Sequence, residues 1–247
     1  MQNVDFVYHL AALVGVPESM RDPQLCVELN VTGFINVLEA AASAGVRKLC
    51  FSSSAAIYGN NPIVPMREDM CPEPRSPYAV SKLHGECHCR QFGEAGSLET
   101  VALRFFNVFG PRQDPAGAYG AVVPMFFQNA LAGRSLTIFG DGTQTRDFIY
   151  VKDVVAALEF VTNTPGLTGV FNAGYGEQIT ILELAQRIIA LTGSRSSIQF
   201  AVARVGDVQD SRASVERLQN AGFRPTCPLD VGLGEMLRAL RSDAAGD

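Results

Sequence analysis

The first half of the chain alternates short strand-like segments with helix-like segments, and this alternation limits the possible folds more than any other feature. The segment VDFVYHL at Val4–Leu10 is rich in β-branched and aromatic residues and predicts a buried strand. Helical spacing of apolar residues follows over Asn30–Ala44, and Gly45 marks the predicted end of that helix. The pattern continues with a strand at Val46–Ser52, a helix at Tyr78–Phe92 and a strand at Glu99–Phe105. This order predicts an α/β fold with a doubly wound parallel sheet that binds ligands at the carboxyl ends of its strands.

The second half of the chain predicts a more mixed arrangement. Helices are predicted at Val122–Ala132, Val151–Thr162, Ile181–Thr192 and Leu229–Arg241, with short strands at Leu136–Phe139 and Val170–Ala173. We expect a nucleotide-binding core formed by residues 1–110 with about 147–172. A small mixed α/β substrate lobe is expected from about 111–146 with 173–247.

The charge balance and hydropathy of the chain argue against several classes of protein. With 20 Lys and Arg against 25 Asp and Glu, the net charge of −5 does not favour a nucleic-acid partner held by phosphate contacts. No run approaches the ~18 consecutive apolar residues of a membrane helix, and no basic segment followed by an apolar one begins the sequence. We therefore expect a cytoplasmic protein with no nucleic-acid or membrane partner.

Cysteine and histidine usage favours neither disulfides nor a metal centre. In a chain of this length with no export signal, six cysteines without a C-x-x-C pair are expected to be reduced thiols. They are Cys26, Cys50, Cys71, Cys87, Cys89 and Cys227. His84 and His88 are four residues apart, but Gly85 stands where a zinc-protease helix carries its Glu, so no metal site is predicted.

Tyr78 and Lys82 are the first candidates for chemistry. Their spacing of four residues brings the ammonium group near the phenol on a helix. A tyrosine in water has a pKa near ~10, and about 4 kcal/mol of preferential phenolate stabilisation would bring it to neutrality, part of which a neighbouring cation supplies. An exposed Tyr–Lys pair without function is the alternative. The serines at 52–54 favour the functional interpretation, because hydroxyls at the carboxyl end of a parallel strand face the ligand crevice.

Six segments of the chain, taken in order, resemble the extended short-chain dehydrogenase/reductase family, and within it the NAD-dependent nucleotide-sugar epimerases. They are HLAA at His9–Ala12, NVTGFINVLEA at Asn30–Ala40, SSSAAIYG at Ser52–Gly59, SPYAVSK at Ser76–Lys82, LRFFNVFGPRQDP at Leu103–Pro115 and FGDGTQTRDFIYVKDV at Phe139–Val154. The resemblance covers nearly the whole chain and implies a Rossmann-like fold.

The resemblance implies a role for individual side chains. Tyr78 would be the catalytic acid and base, Lys82 its electrostatic partner, and Ser54 the hydrogen-bond partner of the reacting sugar hydroxyl. The implied NAD-binding residues are Ala11, Ala12, Asn30, Tyr78, Lys82, Phe105 and Phe106. The implied substrate-binding residues are Ser54, Asn107, Arg146, Arg204, Asp207 and Ser211. Guanidinium groups suit a substrate diphosphate on physical grounds as well, although a salt bridge to Asp147 or Asp153 is the alternative for Arg146.

The reaction implied by the resemblance is 4-epimerisation of a UDP-sugar, by oxidation at C4 and return of the hydride to the opposite face. Dehydratases of the family carry Asp-Glu directly after the catalytic hydroxyl, whereas this chain has Ala55 and Ala56, so dehydration is not expected. Ser211 is small where epimerases restricted to glucose and galactose carry a bulky residue, so UDP-GlcNAc and UDP-GalNAc are expected substrates besides UDP-glucose and UDP-galactose.

The sequence departs from the family pattern in one respect, because it contains no G-x-G-x-x-G cluster. Such glycines let the backbone approach a pyrophosphate. We therefore expect an incomplete Rossmann-like sheet without its first strands. Two alternatives stay open: an inactive nucleotide-sugar-binding fragment, or another family activity such as decarboxylation or reduction. The resemblance also implies a homodimer through the helices at about 30–44 and 78–92.

Overall fold

The carboxyl ends of four parallel strands meet at one edge of a central sheet in the computed structural model, which describes residues 3–115, 121–203 and 208–245. The strands are β1 (Phe6–His9), β2 (Lys48–Ser54), β3 (Glu99–Phe105), β4 (Asn107–Phe109), β5 (Leu136–Phe139), β6 (Thr145–Arg146), β7 (Phe148–Tyr150), β8 (Gly169–Ala173), β9 (Ile179–Thr180) and β10 (Ile198–Ala201). The helices are α1 (Val16–Arg21), α2 (Pro23–Val27), α3 (Gly33–Ser43), α4 (Pro77–Glu94), α5 (Val122–Leu131), α6 (Val151–Asn163), α7 (Ile181–Thr192), α8 (Glu216–Asn220) and α9 (Leu229–Ala245).

The central sheet has the strand order β1–β2–β3–β8, and every pair in it is parallel. Helices cover both of its faces. On one face, α3 and α4 pack against Leu49, Phe51 and Ala102. On the other, α6 packs against Cys50 and Leu103. Because successive side chains of a strand point to opposite faces, these contacts confirm the predicted doubly wound α/β fold.

A separate apolar core lies outside the central sheet. Helices α5, α7 and α9 enclose it with β5 and β7 through Phe127, Leu136, Leu184 and Leu233, all of which are buried. Three strand pairs accompany this core: β4 with β7 and β5 with β10 are parallel, and β6 with β9 is antiparallel. Because β4 follows directly after β3, its pair with β7 lies beside the carboxyl edge of the central sheet.

The predicted helix at Asn30–Ala44 is wrong in its start. The helical stretch begins at Pro23, where the carboxylate of Asp22 accepts a hydrogen bond from the amide of Leu25 (2.9 Å), and it runs to Ser43 through a π-helical turn at Glu28–Thr32. A π turn inserts an extra residue and breaks the 3.6-residue period. The apolar spacing in the sequence therefore predicts only the later part of the helix.

The stretch Pro23–Ser43 is also long and apolar enough to cross a membrane by length and composition, with a mean hydropathy of 1.3 over its best window. Core helices of soluble proteins meet the same criterion. Here Phe34, Leu38 and Ala41 of this stretch are buried against the central sheet.

Candidate active site

Helix α4 and strand β2 position the Tyr–Lys pair. Ser76 caps α4 by accepting a hydrogen bond from the amide of Ala79 (3.2 Å), and Pro77 follows in the first turn, where its missing N–H costs nothing. Tyr78 therefore lies in the first turn and Lys82 one turn further on, as the sequence predicts. Strand β2 extends to Ser54 instead of ending at Ser52, so all three serines belong to the strand.

The ammonium group of Lys82 is buried beneath Tyr78. Its Nζ donates to the carbonyl oxygen of Ser52 (2.7 Å) and lies 3.4 Å from the Ser52 hydroxyl. The same atom is 5.7 Å from the ring centre of Tyr78 and 5.0 Å from that of Phe51. Burial lowers the pKa of Lys82 to about 8. The group is thus mainly charged at neutral pH, which favours the phenolate form of the neighbouring tyrosine.

Ser54 is the last residue of β2 and is half-buried. Its Oγ accepts a hydrogen bond from the amide of Ala56 (3.1 Å) and caps a short 3₁₀ turn at Ala55–Tyr58. Because this bond uses an oxygen lone pair, the hydroxyl proton of Ser54 can still be donated to a ligand. Ala55 and Ala56 hold no group that could transfer a proton.

Asn30 lies in the π turn and connects the carboxyl side of β1 to α4. Its Oδ1 accepts from the amide of Leu13 (2.7 Å), and its Nδ2 donates to the carbonyl oxygen of Leu13 (2.9 Å) and to Oγ of Ser81 (3.0 Å). Ala11 and Ala12 lie between β1 and Leu13, whose backbone Asn30 holds. The side chain of Asn30 therefore contacts Ser81, the residue that precedes Lys82 in the chain.

A buried polar network behind these residues was missed by the sequence analysis. The carboxylate of Glu86 accepts two hydrogen bonds from the guanidinium of Arg104 (both 2.8 Å) and one from the hydroxyl of Ser53 (2.5 Å). Arg104 also stacks over the ring of Tyr58, whose hydroxyl donates to Asn172 (2.6 Å). The position of Glu86, one helical turn after Lys82 and opposite a serine-rich strand end, is the signal that could have indicated it.

The predicted aromatic residues of the NAD site lie at the end of β3. Phe105 is its last residue and is half-buried, whereas Phe106 is buried and packs near Tyr58 at a ring-centre distance of 6.2 Å. The amide of Phe106 donates to the carbonyl oxygen of Ala173 at the end of β8 (3.0 Å). Both residues are therefore held at the carboxyl edge of the sheet.

Apart from Ser54, the substrate candidates that the structure describes lie on segments that meet at Asp147, between β6 and β7. Asn107 donates from Nδ2 to the backbone carbonyl of Asp147 (2.8 Å), and Arg146 donates from Nη1 to the carbonyl of Thr145 (2.8 Å). Ser211 is buried nearby in the chain segment before Ala213. The predicted residues Arg204 and Asp207 lie outside the residues that the structure describes.

The carboxylates of Asp147 and Asp153, the alternative partners of Arg146, are engaged elsewhere. Asp147 accepts backbone amides of the loop at 175–176 and of Ala213, and Asp153 accepts those of Thr226 and Cys227. A cavity of about 70 Å³ beside Arg146 has a mixed lining, in which Glu177 and Arg187 are charged and Phe148, Ile179 and Leu229 are apolar. Within the described ranges, no group of three His, Cys, Asp or Glu side chains could hold a metal ion.

The residues around Lys82 fit the nicotinamide-ribose half of NAD. Among the residues that the structure describes, no carboxylate lies within ion-pair distance of this buried ammonium, and Ser52 uses two of its three N–H donors. A hydroxyl-bearing ligand can take the third. Ala11, two residues after β1, is exposed and Ala12 is half-buried, so these two positions present only methyl groups to a ligand.

These features define a class of protein: an α/β enzyme with a Tyr–Lys pair on a helix that contacts a parallel strand ending in serines, as in the extended short-chain dehydrogenases/reductases. The model of the NAD dependent epimerase/dehydratase family matches residues 1–174. The chain belongs to this family, whose cofactor is NAD.

Individual relatives are nucleotide-sugar enzymes. The chain is 37% identical over 240 residues to UDP-glucose 4-epimerase of Mycolicibacterium smegmatis, covering 96% of this chain and 76% of that protein. It is 34% identical to UDP-glucuronic acid decarboxylase 1 of Danio rerio, covering 95% of this chain and 57% of that one. Among solved structures, UDP-N-acetylglucosamine 4-epimerase from Methanobrevibacter ruminantium M1 in complex with UDP-N-acetylmuramic acid superposes with a TM-score of 0.95 at 37% identity, over 98% of this chain and 78% of that chain. Nucleotide-sugar epimerases are thus its relatives within the family.

Proposed function

We propose that the chain is an NAD-dependent UDP-sugar 4-epimerase that accepts UDP-glucose and UDP-galactose and also their 2-N-acetylamino counterparts. The observation that carries the proposal is the buried ammonium of Lys82, held by Ser52 directly beneath the ring of Tyr78. When bound, NAD⁺ would accept the hydride from C4 of the sugar and return it to the opposite face.

The protein's own part in the reaction is proton transfer at the sugar 4-hydroxyl. Tyr78 takes this proton while the hydroxyl carbon is oxidised and gives it back when the carbon is reduced. The charge of Lys82 stabilises the phenolate between these events. Ser54 donates a hydrogen bond to the sugar oxygen and orients it toward Tyr78. With Ala55 and Ala56 next to this serine, no side chain there removes or adds a proton elsewhere on the sugar.

The nucleotide part of the substrate is assigned to Asn107, Arg146, Arg204 and Asp207, with Ser211 beside the sugar. The small side chain of Ser211 supports the acceptance of a 2-N-acetyl group, because it leaves volume that a bulky residue would fill. We also propose a nucleotide-binding core of residues 1–110 with about 147–172, and a substrate lobe of about 111–146 with 173–247. The proposed location is cytoplasmic.

A homodimer is part of the proposal. Leu25, Val27 and Leu29 on α2 and the π turn, and Val80 on α4, are exposed apolar side chains on neighbouring helices. A second copy would cover these side chains by packing its own α2–α3 stretch and α4 against them.

The proposal is tested by incubating the purified chain with UDP-glucose, and separately with UDP-GlcNAc, in the presence of NAD. The expected product has the mass of the substrate and the sugar configuration inverted at C4, as shown by chromatography and NMR. Release of near-stoichiometric NAD on denaturation would support the cofactor assignment. Absence of bound NAD even when it is supplied in excess, with no turnover, would contradict the proposal and favour an inactive nucleotide-sugar-binding protein.

The Danio rerio relative makes decarboxylation the second candidate function. Incubation with UDP-glucuronic acid distinguishes the two, because decarboxylation releases carbon dioxide and lowers the mass of the nucleotide sugar. Loss of mass from UDP-glucuronic acid without inversion of UDP-glucose would favour the decarboxylase.

A further inference from the structure

Asp147 joins three separate segments of the chain through one buried carboxylate. It is 0% exposed. Its Oδ1 accepts the amide of Tyr175 (2.8 Å), and its Oδ2 accepts the amides of Gly176 (3.0 Å) and Ala213 (2.9 Å). A carboxylate that satisfies three backbone donors is acceptor-only, so no neutral side chain of the same shape can replace all three bonds.

Each described residue assigned to the substrate beyond the Tyr–Lys–Ser group is connected to Asp147. Asn107 donates to its backbone carbonyl from both the amide N (3.1 Å) and Nδ2 (2.8 Å). Arg146 is its neighbour in the chain, and Ser211 lies two residues before Ala213. The carboxylate thus lies where β4, the β6–β7 junction and the segment of Ser211 meet.

We propose that Asp147 is a positioning residue for nucleotide-sugar binding: its carboxylate holds the segment of Ser211 and the loop at Tyr175–Gly176 against the strand that carries Arg146. The inference rests on the proposed function, because it takes Asn107, Arg146 and Ser211 as substrate contacts. Asp147 acts through these residues and does not itself touch the substrate.

The packing at Gly174 shows how closely the segments approach one another. A Cβ at this position would lie 2.5 Å from Cβ of Ala213 and 2.9 Å from Oδ2 of Asp147. Both distances are shorter than van der Waals contact, so Gly174→Ala would push the Ser211 segment away from Asp147. This gives a second way to disturb the same junction without changing the carboxylate.

Protonation of Asp147 gives a readout that a purely structural role would not share. The pKa of this carboxyl is raised to about 6, mainly by burial and to a smaller extent by Glu177 on the adjoining loop, while the three amide donors act in the opposite direction. The other charged residues on the three segments are Arg146, Asp210 and Arg212, and the carboxylate of Asp210 accepts a hydrogen bond from the hydroxyl of Thr145 (2.7 Å). Below this pKa one carboxyl oxygen becomes a donor and loses its amide partner. We therefore expect nucleotide-sugar affinity to fall as the pH is lowered from 7 to 5.

The experiment compares the affinity of the full chain for UDP-glucose with that of two variants, by isothermal titration calorimetry at pH 7.5. UDP-glucose is the probe because its diphosphate is esterified at both ends and does not titrate between pH 5 and 8. Asp147→Asn keeps the shape but places an amide donor against at least one backbone amide, so binding is expected to weaken about 10-fold.

Asp153→Asn is the matched control. Asp153 is also buried and also accepts two backbone amides, those of Thr226 (3.0 Å) and Cys227 (2.9 Å), but it joins α6 to the segment before α9. The control is expected to bind UDP-glucose like the wild type, to within about twofold. The fall in affinity between pH 7 and 5 should be present in the wild type and in Asp153→Asn and absent from Asp147→Asn.

The outcomes separate the inference from the proposed function. If the wild type binds UDP-glucose and Asp147→Asn binds it as tightly as Asp153→Asn, the inference is overturned and the proposed function is not affected. A wild-type chain that does not bind UDP-glucose would contradict the proposed function and the inference with it. Where Asp147→Asn does not fold, Gly174→Ala replaces it, and unchanged affinity in that variant would overturn the inference.

Discussion

At the scale of single residues, the site depends on a cation kept where water is largely excluded. Lys82 is 3% exposed, and it is held by a backbone carbonyl of β2 and not by a carboxylate. A carboxylate partner would neutralise the charge that Tyr78 needs. The protein therefore accepts a destabilised ammonium in order to place an uncompensated positive charge beside a phenol.

Tyr78→Phe should lower the kcat for UDP-glucose by roughly 10²- to 10⁴-fold, because the proton acceptor is removed and the ring stays in place. The KM for UDP-glucose should stay within about twofold of the wild-type value, since nucleotide contacts are unchanged. Steady-state kinetics of the variant measures both. Tyr8→Phe, a change at an exposed tyrosine on β1, should alter neither constant. A Tyr78→Phe variant with wild-type kcat would exclude this residue as the acid and base.

Lys82→Met should abolish activity and yet stabilise the fold at neutral pH, by about 1–2 kcal/mol. The pKa of Lys82 is lowered to about 8 by burial, from 10.5 in water. Between these two values the unfolded chain holds a proton that the folded chain has lost, so wild-type stability rises with pH over this range. The advantage of Lys82→Met should consequently shrink between pH 8 and pH 10.5.

Urea denaturation across this pH range measures the effect on stability. Lys152→Met, at an exposed lysine that pairs with Glu235, serves as the control and should show no such pH-dependent gain. A Lys82→Met variant that is less stable than wild type at pH 7 would show that the bonds to Ser52 outweigh the burial of the charge.

At the scale of elements, α4 contacts the end of β2 through two successive turns. Lys82 bonds to Ser52 and Glu86 bonds to Ser53, while Arg104 of β3 holds the carboxylate of Glu86. One helix is thereby fixed in register against two strands at the point where Ser54 ends β2. These contacts fix the helix that carries Tyr78 against the strand that ends at Ser54.

Arg104→Met should destabilise the fold by about 3–5 kcal/mol, because it leaves the buried carboxylate of Glu86 without its cation. The double variant Glu86→Met with Arg104→Met should recover much of this loss, since no buried charge remains. Arg67→Met, which removes a pair with Asp69 at the surface, should cost less than about 1 kcal/mol. Chemical denaturation of the wild type, the single variants Glu86→Met and Arg104→Met and the double variant gives the coupling free energy. Additive effects of the two buried substitutions would contradict the pairing.

Elements with regular periodicity were predictable from the sequence, and irregular ones were not. Strand β3 and helix α7 have the predicted bounds, because their apolar spacing is uninterrupted. The start of the helix ending at Ser43 was wrong because of its π turn, and β6 and β9 are two residues each, too short for any period to show. Helix α9 continues to Ala245, beyond its predicted end.

Predictability within the site follows the same division. The approach of Lys82 to Tyr78 could be predicted because helical spacing alone determines it. The Glu86–Arg104 pair and the bonds of Asp147 join residues that are distant in the sequence, and helical spacing can indicate that Glu86 is buried but not which distant residue it pairs with. The roles assigned to individual site residues stay predictions.

At the scale of the whole molecule, the exposed apolar side chains of α2, the π turn and α4 define the proposed dimer surface. Leu29→Arg should convert a dimer into monomers, because a charge would be buried at the helix packing. Size-exclusion chromatography with light scattering measures the mass. Val155→Arg, at an exposed position of α6 on the opposite face of the sheet, should leave the mass unchanged. A wild-type chain that is monomeric at micromolar concentration would contradict the dimer.

The π turn at Glu28–Thr32 makes the site sensitive to chain length in a way that substitutions do not test. The turn holds one residue more than an α-helical path would, and Asn30, which anchors Leu13 and Ser81, lies inside it. Deleting a single residue there would convert the bulge into a regular α-helical turn and remove the local widening that presents Asn30 to Leu13 and Ser81. The alignment of this site therefore depends partly on the number of residues in the turn. During divergence, insertions and deletions in this turn would be selected against even where substitutions are tolerated.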